Sequence, residues 1–324
     1  MTWMVTGGAG YIGAHVVEAF REVGLDTVVV DNLSSGHPSF VPKDVPLIRA
    51  DLNDRAALEG AFAAQEVAGV VHIAGYKYAG ESVRKPLRTY RDNVTGMVGL
   101  LEAMEGAGVG NLVFSSSAAT FGTPDTEVVT EASATVPESP YGETKLIGEW
   151  LLADQARAVG LRHTSLRYFN VVGSGTDRIT DTSPHNLFPL VFDALVAGKI
   201  PHINGGDYPT PDGTCVRDYI HVADLAEAHV AAARRLEAGE SVESVYNLGS
   251  GTGTSVREIM DAMAEVTGIE FTPEVKDRRP GDPARIVAEG SLAARDLDWT
   301  MRHSVHDMVA SAWSARRAWD RSRS

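Results

Sequence analysis

The segment Gly7-Gly8-Ala9-Gly10-Tyr11-Ile12-Gly13 constrains this chain most, because it directly follows the apolar run Trp3 to Thr6 and opens a helical pattern that reaches about Val23 and stops at Gly24. A strand that turns this sharply into a helix needs residues without side chains at the bend. Gly7 permits the turn, Gly10 lets backbone N–H groups approach a bound anion, and Gly13 lets the helix lie close to the strand. The helix N-terminus adds partial positive charge, so the turn is suited to a pyrophosphate. The spacing is GxxGxxG rather than GxGxxG, and three glycines alone also fit an ordinary tight turn. Position separates the two readings. Asp31 ends the second apolar run, about 20 residues after the glycines, where a carboxylate accepts hydrogen bonds from an adenosine ribose and repels a 2′-phosphate. That pairing predicts NAD rather than NADP.

The apolar runs Trp3 to Thr6, Thr27 to Asp31, Pro46 to Ala50, Gly69 to Ile73, Asn111 to Ser115 and His163 to Leu166 alternate with helical patterns. Alternation of this kind predicts an α/β fold, a doubly wound parallel sheet of the Rossmann type, over residues 1–170. Asn32, Asp51-Leu52 and Ile73-Ala74-Gly75 fall at the carboxyl ends of these runs, where open sheets bind ligands, and are candidate walls of the cofactor site. After Asn170 the texture changes to a Gly/Ser/Thr/Asp/Pro loop, a helix near Leu187 to Ala197 and a turn-rich stretch from Asn204 to Thr214. This predicts a smaller, discontinuous α/β domain over 171–324, with segments near 215–250 returning to the first.

The other function classes narrow quickly. The 29 Lys and Arg against 43 Asp and Glu give a net charge of −14, which disfavours nucleic acid and anionic membrane surfaces as partners. No run approaches the length of a membrane span, and the start carries neither a basic nor an apolar leader, so a cytoplasmic protein is expected. One cysteine, Cys215, and ten histidines without ligand spacing predict no structural metal.

Ser115-Ser116-Ser117 follows the run Leu112 to Phe114, and Tyr141 and Lys145 sit on one face of a helix that Ser139 caps and Pro140 starts. A cation beside a phenol favours the phenolate, which predicts Tyr141 as a general base with a lowered pKa; Lys145 also suits a cofactor ribose.

The motifs TGGAGYIG, SSSAAT, YGETK, LRYFN (Leu166 to Asn170) and DYPTPDGTCVRDYIHVADLA (Asp207 to Ala226) together resemble the extended short-chain dehydrogenase/reductase superfamily and, within it, its UDP-hexose 4-epimerase branch. The resemblance runs to about residue 300. It implies a tightly held NAD that is reduced and reoxidised in one turnover, a 4-keto sugar that turns over in the site, and interconversion of UDP-glucose and UDP-galactose. It implies Ser117, Tyr141 and Lys145 as catalytic residues, with Lys77, Asn93, Ser115 and Tyr168 added to the cofactor contacts. It places Lys77, Phe169, Asn170, Asn186, Leu187, Asn204, Tyr219 and Asp282 at the substrate and Arg217 and Arg279 at its pyrophosphate. Ile286 would gate N-acetylated sugars, with weak acceptance of UDP-GlcNAc. A homodimer through the patterns Leu87 to Met104 and Tyr141 to Ala158 is also implied.

Four positions depart from the family pattern: Asn204 in place of an aromatic or apolar residue, Asp92 before Asn93, a short loop from Val171 to Pro184, and Ile286 itself. A dehydratase would need an acid and base after the serines, where Ala118-Ala119 stand. A 4-epimerase of another nucleotide sugar, such as UDP-GlcNAc, a UDP-pentose or a UDP-uronate, and a non-catalytic NAD-binding regulator remain as alternatives.

Overall fold

The computed structural model describes residues 2–279 and 283–323. Its first part runs β1 (Thr2–Thr6), α1 (Tyr11–Glu22), β2 (Asp26–Asp31), β3 (Leu47–Arg49), α2 (Arg55–Ala63), β4 (Val67–His72), α3 (Ala79–Ser82), α4 (Pro86–Tyr90), α5 (Gly96–Gly106), β5 (Asn111–Ser115), β6 (Val128–Val129), α6 (Pro140–Val159) and β7 (Arg162–Tyr168). The rest continues through β8 (Asn170–Val172), α7 (Leu187–Val196), β9 (His202–Asn204), β10 (Val216–Arg217), β11 (Tyr219–His221), α8 (Val222–Glu237), β12 (Val245–Leu248), β13 (Thr254–Ser255), α9 (Val256–Thr267), β14 (Glu274–Lys276), β15 (Arg285–Ala288), α10 (Ser291–Leu297) and α11 (Val305–Arg321).

Seven strands form one sheet in the order β12-β7-β5-β4-β1-β2-β3, every neighbouring pair parallel. Alternation along β1 explains its two faces: Trp3 and Val5 pack with Val16, Val17 and Phe20 of α1 and with α8, whereas Met4 packs with Leu58, Leu100 and Leu152 on the opposite side. Helices therefore cover both faces, as a doubly wound sheet requires. The chain leaves β1 to one side and β4 to the other, so a crevice opens between their carboxyl ends.

The smaller part has its own core of Phe188, Val191 and Phe192 from α7, Ile259, Met260 and Met263 from α9, and Met308 and Val309 from α11. A four-stranded sheet in the order β13-β10-β15-β6 lies beside it. Here the structure revises the sequence boundaries. Val128–Val129, within 1–170, pairs with β15, and Val216–Arg217, within the returning segment, belongs to this second sheet. The return to the large sheet is made by α8 and β12, the latter pairing with β7. Among the described residues no helix is long and apolar enough to cross a membrane.

Candidate active site

A cavity of about 810 Å³ fills the crevice and extends between the two parts of the molecule. At one end the glycine turn forms its floor. Gly7 has φ +74°, and a Cβ there would meet Ala74 N at 2.7 Å; at Gly13 a Cβ would stand 2.1 Å from Gly7 O. These contacts let the β1 and β4 loops close on one another, and α1 begins at Gly10 with no side-chain cap, so its first amides face the cavity at Tyr11 and Ile12. This is a cradle that a side chain would fill, and it fits the pyrophosphate of NAD.

Asp31 is buried, with Oδ2 accepting from Ala9 N at 3.0 Å and Oδ1 from Leu33 N at 2.8 Å. Each oxygen keeps a lone pair, and the carboxylate lines the cavity with Asn32, as a ribose site requires. Asp51 accepts from Asn53 N and from Asn32 Nδ2, both of which hold its carboxyl below its ordinary range. Leu52, Ile73, Ala74, Gly75 and Lys77 complete that wall.

Tyr141 and Lys145 reach the cavity from the first turns of α6, where Ser139 caps Gly142 N and Pro140 takes the first helical position. Lys145 is buried, donates to the Ser115 main-chain oxygen at 2.8 Å, and has its Nζ 5.9 Å from the Tyr141 ring centre. Burial lowers its pKa to about 8, with Glu149 pulling the other way. For Tyr141 the expected lowering by the cation is not what the structure gives: burial raises the phenol, and the opposing influence is a hydrogen bond with Ser117. Ser117 Oγ accepts from Ala119 N at 3.1 Å, which leaves its own proton for the phenol oxygen.

Four of the expected site residues are not among those that line the cavity. Asn93 does not line the cavity; its side chain takes Tyr76 N at 2.6 Å and gives to Tyr76 O at 3.0 Å, fixing the loop after β4. Ser115 is fully buried beneath the site, its hydroxyl on His229 Nε2 at 2.8 Å. Ser117, partly exposed, shares a hydrogen bond with Tyr141 and is outside the lining. Ile286 is the register partner of Arg217 across β10 and β15, which puts the two side chains on one face of the small sheet; it is 7% exposed and outside the lining. Asp282 lies outside the described residues.

Tyr168, Phe169 and Asn170 continue the wall from β7 into β8, with Asn170 Nδ2 anchored on Asp218 O at 2.9 Å. Asn186 precedes α7 without a side-chain cap, its Nδ2 donating to Asp181 Oδ2 at 2.7 Å, and it lines the cavity with Leu187 at this second helix N-terminus. Asn204, Tyr219, Arg217 and Arg279 close the far end. Arg278 pairs with Asp207 at 2.6 Å, so the neighbouring arginines are divided between a surface ion pair and the cavity. Two guanidinium groups and a helix N-terminus suit a diphosphate.

Several lining residues escaped the sequence reading. Tyr76, Glu81 and Arg88 form a cluster at the cavity mouth in which the Tyr76 hydroxyl bonds Glu81 and Arg88 lies 4.6 Å over the Tyr76 ring. Their signal was the density of Tyr, Lys and Glu just after a strand end. Among the described residues no group of His, Cys, Asp and Glu could hold a metal ion.

The profile of the NAD dependent epimerase/dehydratase family matches residues 3–249. The UDP-glucose 4-epimerase of Corynebacterium glutamicum is 44% identical over 323 residues, 97% of this chain and 95% of that one. The crystal structure of the UDP-glucose 4-epimerase from Brucella ovis in complex with NAD has a TM-score of 0.93 at 39% identity, covering 98% of each chain. That of the Stenotrophomonas maltophila enzyme with bound NAD and formylated UDP-arabinopyranose has a TM-score of 0.94 at 38% identity, covering 99% of each. With its glycine cradle, its Ser117-Tyr141-Lys145 cluster and these relatives, the chain belongs to the NAD-dependent epimerase/dehydratase family.

Proposed function

We propose that this protein interconverts UDP-glucose and UDP-galactose at C4 with a tightly held NAD. The observation that supports this reading is a single cavity lined by the glycine turn, by Tyr141 and Lys145, and by Arg217 and Arg279. Bound NAD would supply a reversible hydride acceptor for sugar C4, so that no net oxidation results over a turnover. Tyr141 takes the proton of the 4-hydroxyl and gives it back. Ser117 donates to the phenol oxygen or to the sugar 4-oxygen, stabilising whichever carries charge. Lys145, held on Ser115 O, keeps positive charge at the reacting end. Arg217, Arg279 and the α7 N-terminus grip the diphosphate. A firm hold there and a loose one on the hexose let a 4-keto sugar turn its other face.

The same reading assigns residues 1–170, with α8 and β12, to cofactor binding and most of 171–324 to UDP-sugar binding. It also assigns a homodimer: Val83, Leu87 and Trp150 are 61%, 84% and 58% exposed just after α3, on α4 and on α6, apolar exposure unusual for a free surface. A buried single cysteine and a nicotinamide cofactor suit the cytoplasm.

Purified protein given UDP-galactose without added NAD is expected to produce UDP-glucose up to equilibrium, with UDP-GlcNAc and UDP-xylose run in parallel to rank the sugars. If no UDP-glucose forms even after NAD is supplied, the reading is wrong.

A further inference from the structure

Three consecutive serines at the end of β5 meet three helical positions spaced by four on α6. The Ser117 hydroxyl engages Tyr141, the Ser115 carbonyl takes Lys145 Nζ at 2.8 Å, and the Ser116 hydroxyl donates to Glu149 Oε1 at 2.5 Å. Glu149 is 7% exposed and is held by Arg167 of β7, itself 4% exposed, through Nε to Oε1 at 2.9 Å and Nη2 to Oε2 at 2.5 Å. The third guanidinium nitrogen, Nη1, is buried without a hydrogen-bond partner, and the guanidinium lies 4.9 Å over the Phe121 ring.

A buried ion pair with an unsatisfied donor is a poor stabiliser, because desolvation cancels most of its attraction and well-packed apolar residues of the same volume serve as well. Its position suggests what it does instead. We propose that the Glu149–Arg167 pair, with Ser116, is a positioning device that fixes the register of α6 against the ends of β5 and β7 and keeps Lys145 charged beside Tyr141. The assignment rests on the epimerase reading for its activity readout.

The groups facing Lys145 support this. From its own helix come Tyr141 and Glu149, and from β4 His72; one step further out lie Arg167 of β7, bonded to Glu149, Tyr168 of β7, which feels Tyr141, and His229 of α8, bonded to Ser115. Burial keeps His72 and His229 neutral, with pKa values of about 3 and about 4, and raises Tyr141 and Tyr168. Glu149 is therefore the anion that opposes the desolvation of Lys145, and Arg167 is the cation bonded to it.

Opposite substitutions test the device. In Glu149→Gln the uncompensated guanidinium acts on Lys145, and the alkaline limb of kcat moves to lower pH by about one unit. In Arg167→Gln the unpaired carboxylate moves it to higher pH. Glu149→Asp keeps the charge and restores the wild-type limb. KM for UDP-galactose changes by less than about twofold in all three, since the pair touches no substrate-facing group, while kcat falls about tenfold in Glu149→Gln. Acetic anhydride labelling of Lys145, read by mass spectrometry as a function of pH, reports the same shifts without turnover. Limbs and labelling curves that coincide with wild type, or that move in the same direction in both charge variants, overturn the proposal. If Glu149→Gln does not fold, the upward shift in Arg167→Gln and the unshifted Glu149→Asp still decide it. An inactive wild type would refute the epimerase reading, and the labelling curves would still judge the device.

Discussion

Nζ of Lys145 is docked 2.8 Å from the main-chain oxygen of Ser115, so the cation is anchored on the strand and stands off from the Tyr141 ring, 5.9 Å from its centre. The lysine can then influence the phenol only while it is charged. Its pKa of about 8, lowered by burial, puts the change within reach: turnover is present below that value and is lost as pH rises through it. Lys145→Met is expected to lower kcat at neutral pH by about 10²-fold and to abolish this alkaline limb. A limb that survives in Lys145→Met belongs to another group.

Tyr141→Phe removes the proton acceptor and leaves the ring in place. A loss of about 10²- to 10⁴-fold in kcat is expected, with NAD still copurifying. A protein that only senses NAD would keep its behaviour in this variant, so comparing NAD content with turnover separates enzyme from regulator.

How much of this could be read from the chain varies by residue. The glycine turn, Asp31 and the pair Tyr141 and Lys145 were legible because each is a local pattern whose geometry follows from spacing. Ser139 and Pro140 mark the start of α6 as expected. Asn93 was not legible: a π-helical stretch over Arg91–Thr95 breaks the helical period and aims its amide at Tyr76. Ile286 was placed at the substrate; it stands beside the cavity-lining Arg217 in the small sheet and is itself nearly buried, a degree of burial that its position in the chain does not disclose. Arg167 carried a signal that went unused, a charge directly after the run His163 to Leu166, at a strand position buried in the structure, where only a buried partner can hold it.

Gly13→Ala tests the cradle. The new Cβ would stand 2.1 Å from Gly7 O and 2.8 Å from Gly8 Cα, and both are backbone atoms that cannot swing aside. The turn must open, at a cost of about 2–3 kcal/mol of stability, and NAD binding is expected to fall more steeply than the affinity for UDP. Calorimetric titration with NAD and with UDP reads both; equal losses would mean that the turn does not serve the cofactor.

The proposed dimer rests on Leu87 and Trp150, apolar side chains 84% and 58% exposed on α4 and α6. Light scattering at micromolar protein is expected to give twice the chain mass for the wild type and one chain mass for the double variant Leu87→Asp, Trp150→Asp. A monomeric wild type removes the proposal.

Stability should fall on mild acidification, for a reason written in the hydrogen bonds of the buried histidines. His15 faces Tyr11 O through Nδ1 at 2.8 Å, while its Nε2 accepts from Gly175 N at 3.0 Å. His229 faces Leu225 O through Nδ1 and the Ser115 hydroxyl through Nε2. Such bonds need the neutral ring. Burial lowers His15 and His229 to about 4 and His72 to about 3. In the unfolded chain these groups bind protons near pH 6.5, so below that value the unfolded state binds more protons than the folded one. The stability they contribute is whole above about pH 6.5 and is lost as pH falls toward the folded values, at up to about 1.4 kcal/mol per pH unit for each ring. Urea unfolding midpoints measured from neutral pH down to about 5 should decline accordingly, and His229→Gln, which removes one titrating ring, should show the shallower slope. A flat series would show that these rings already carry protons in the folded protein or that their burial is not maintained.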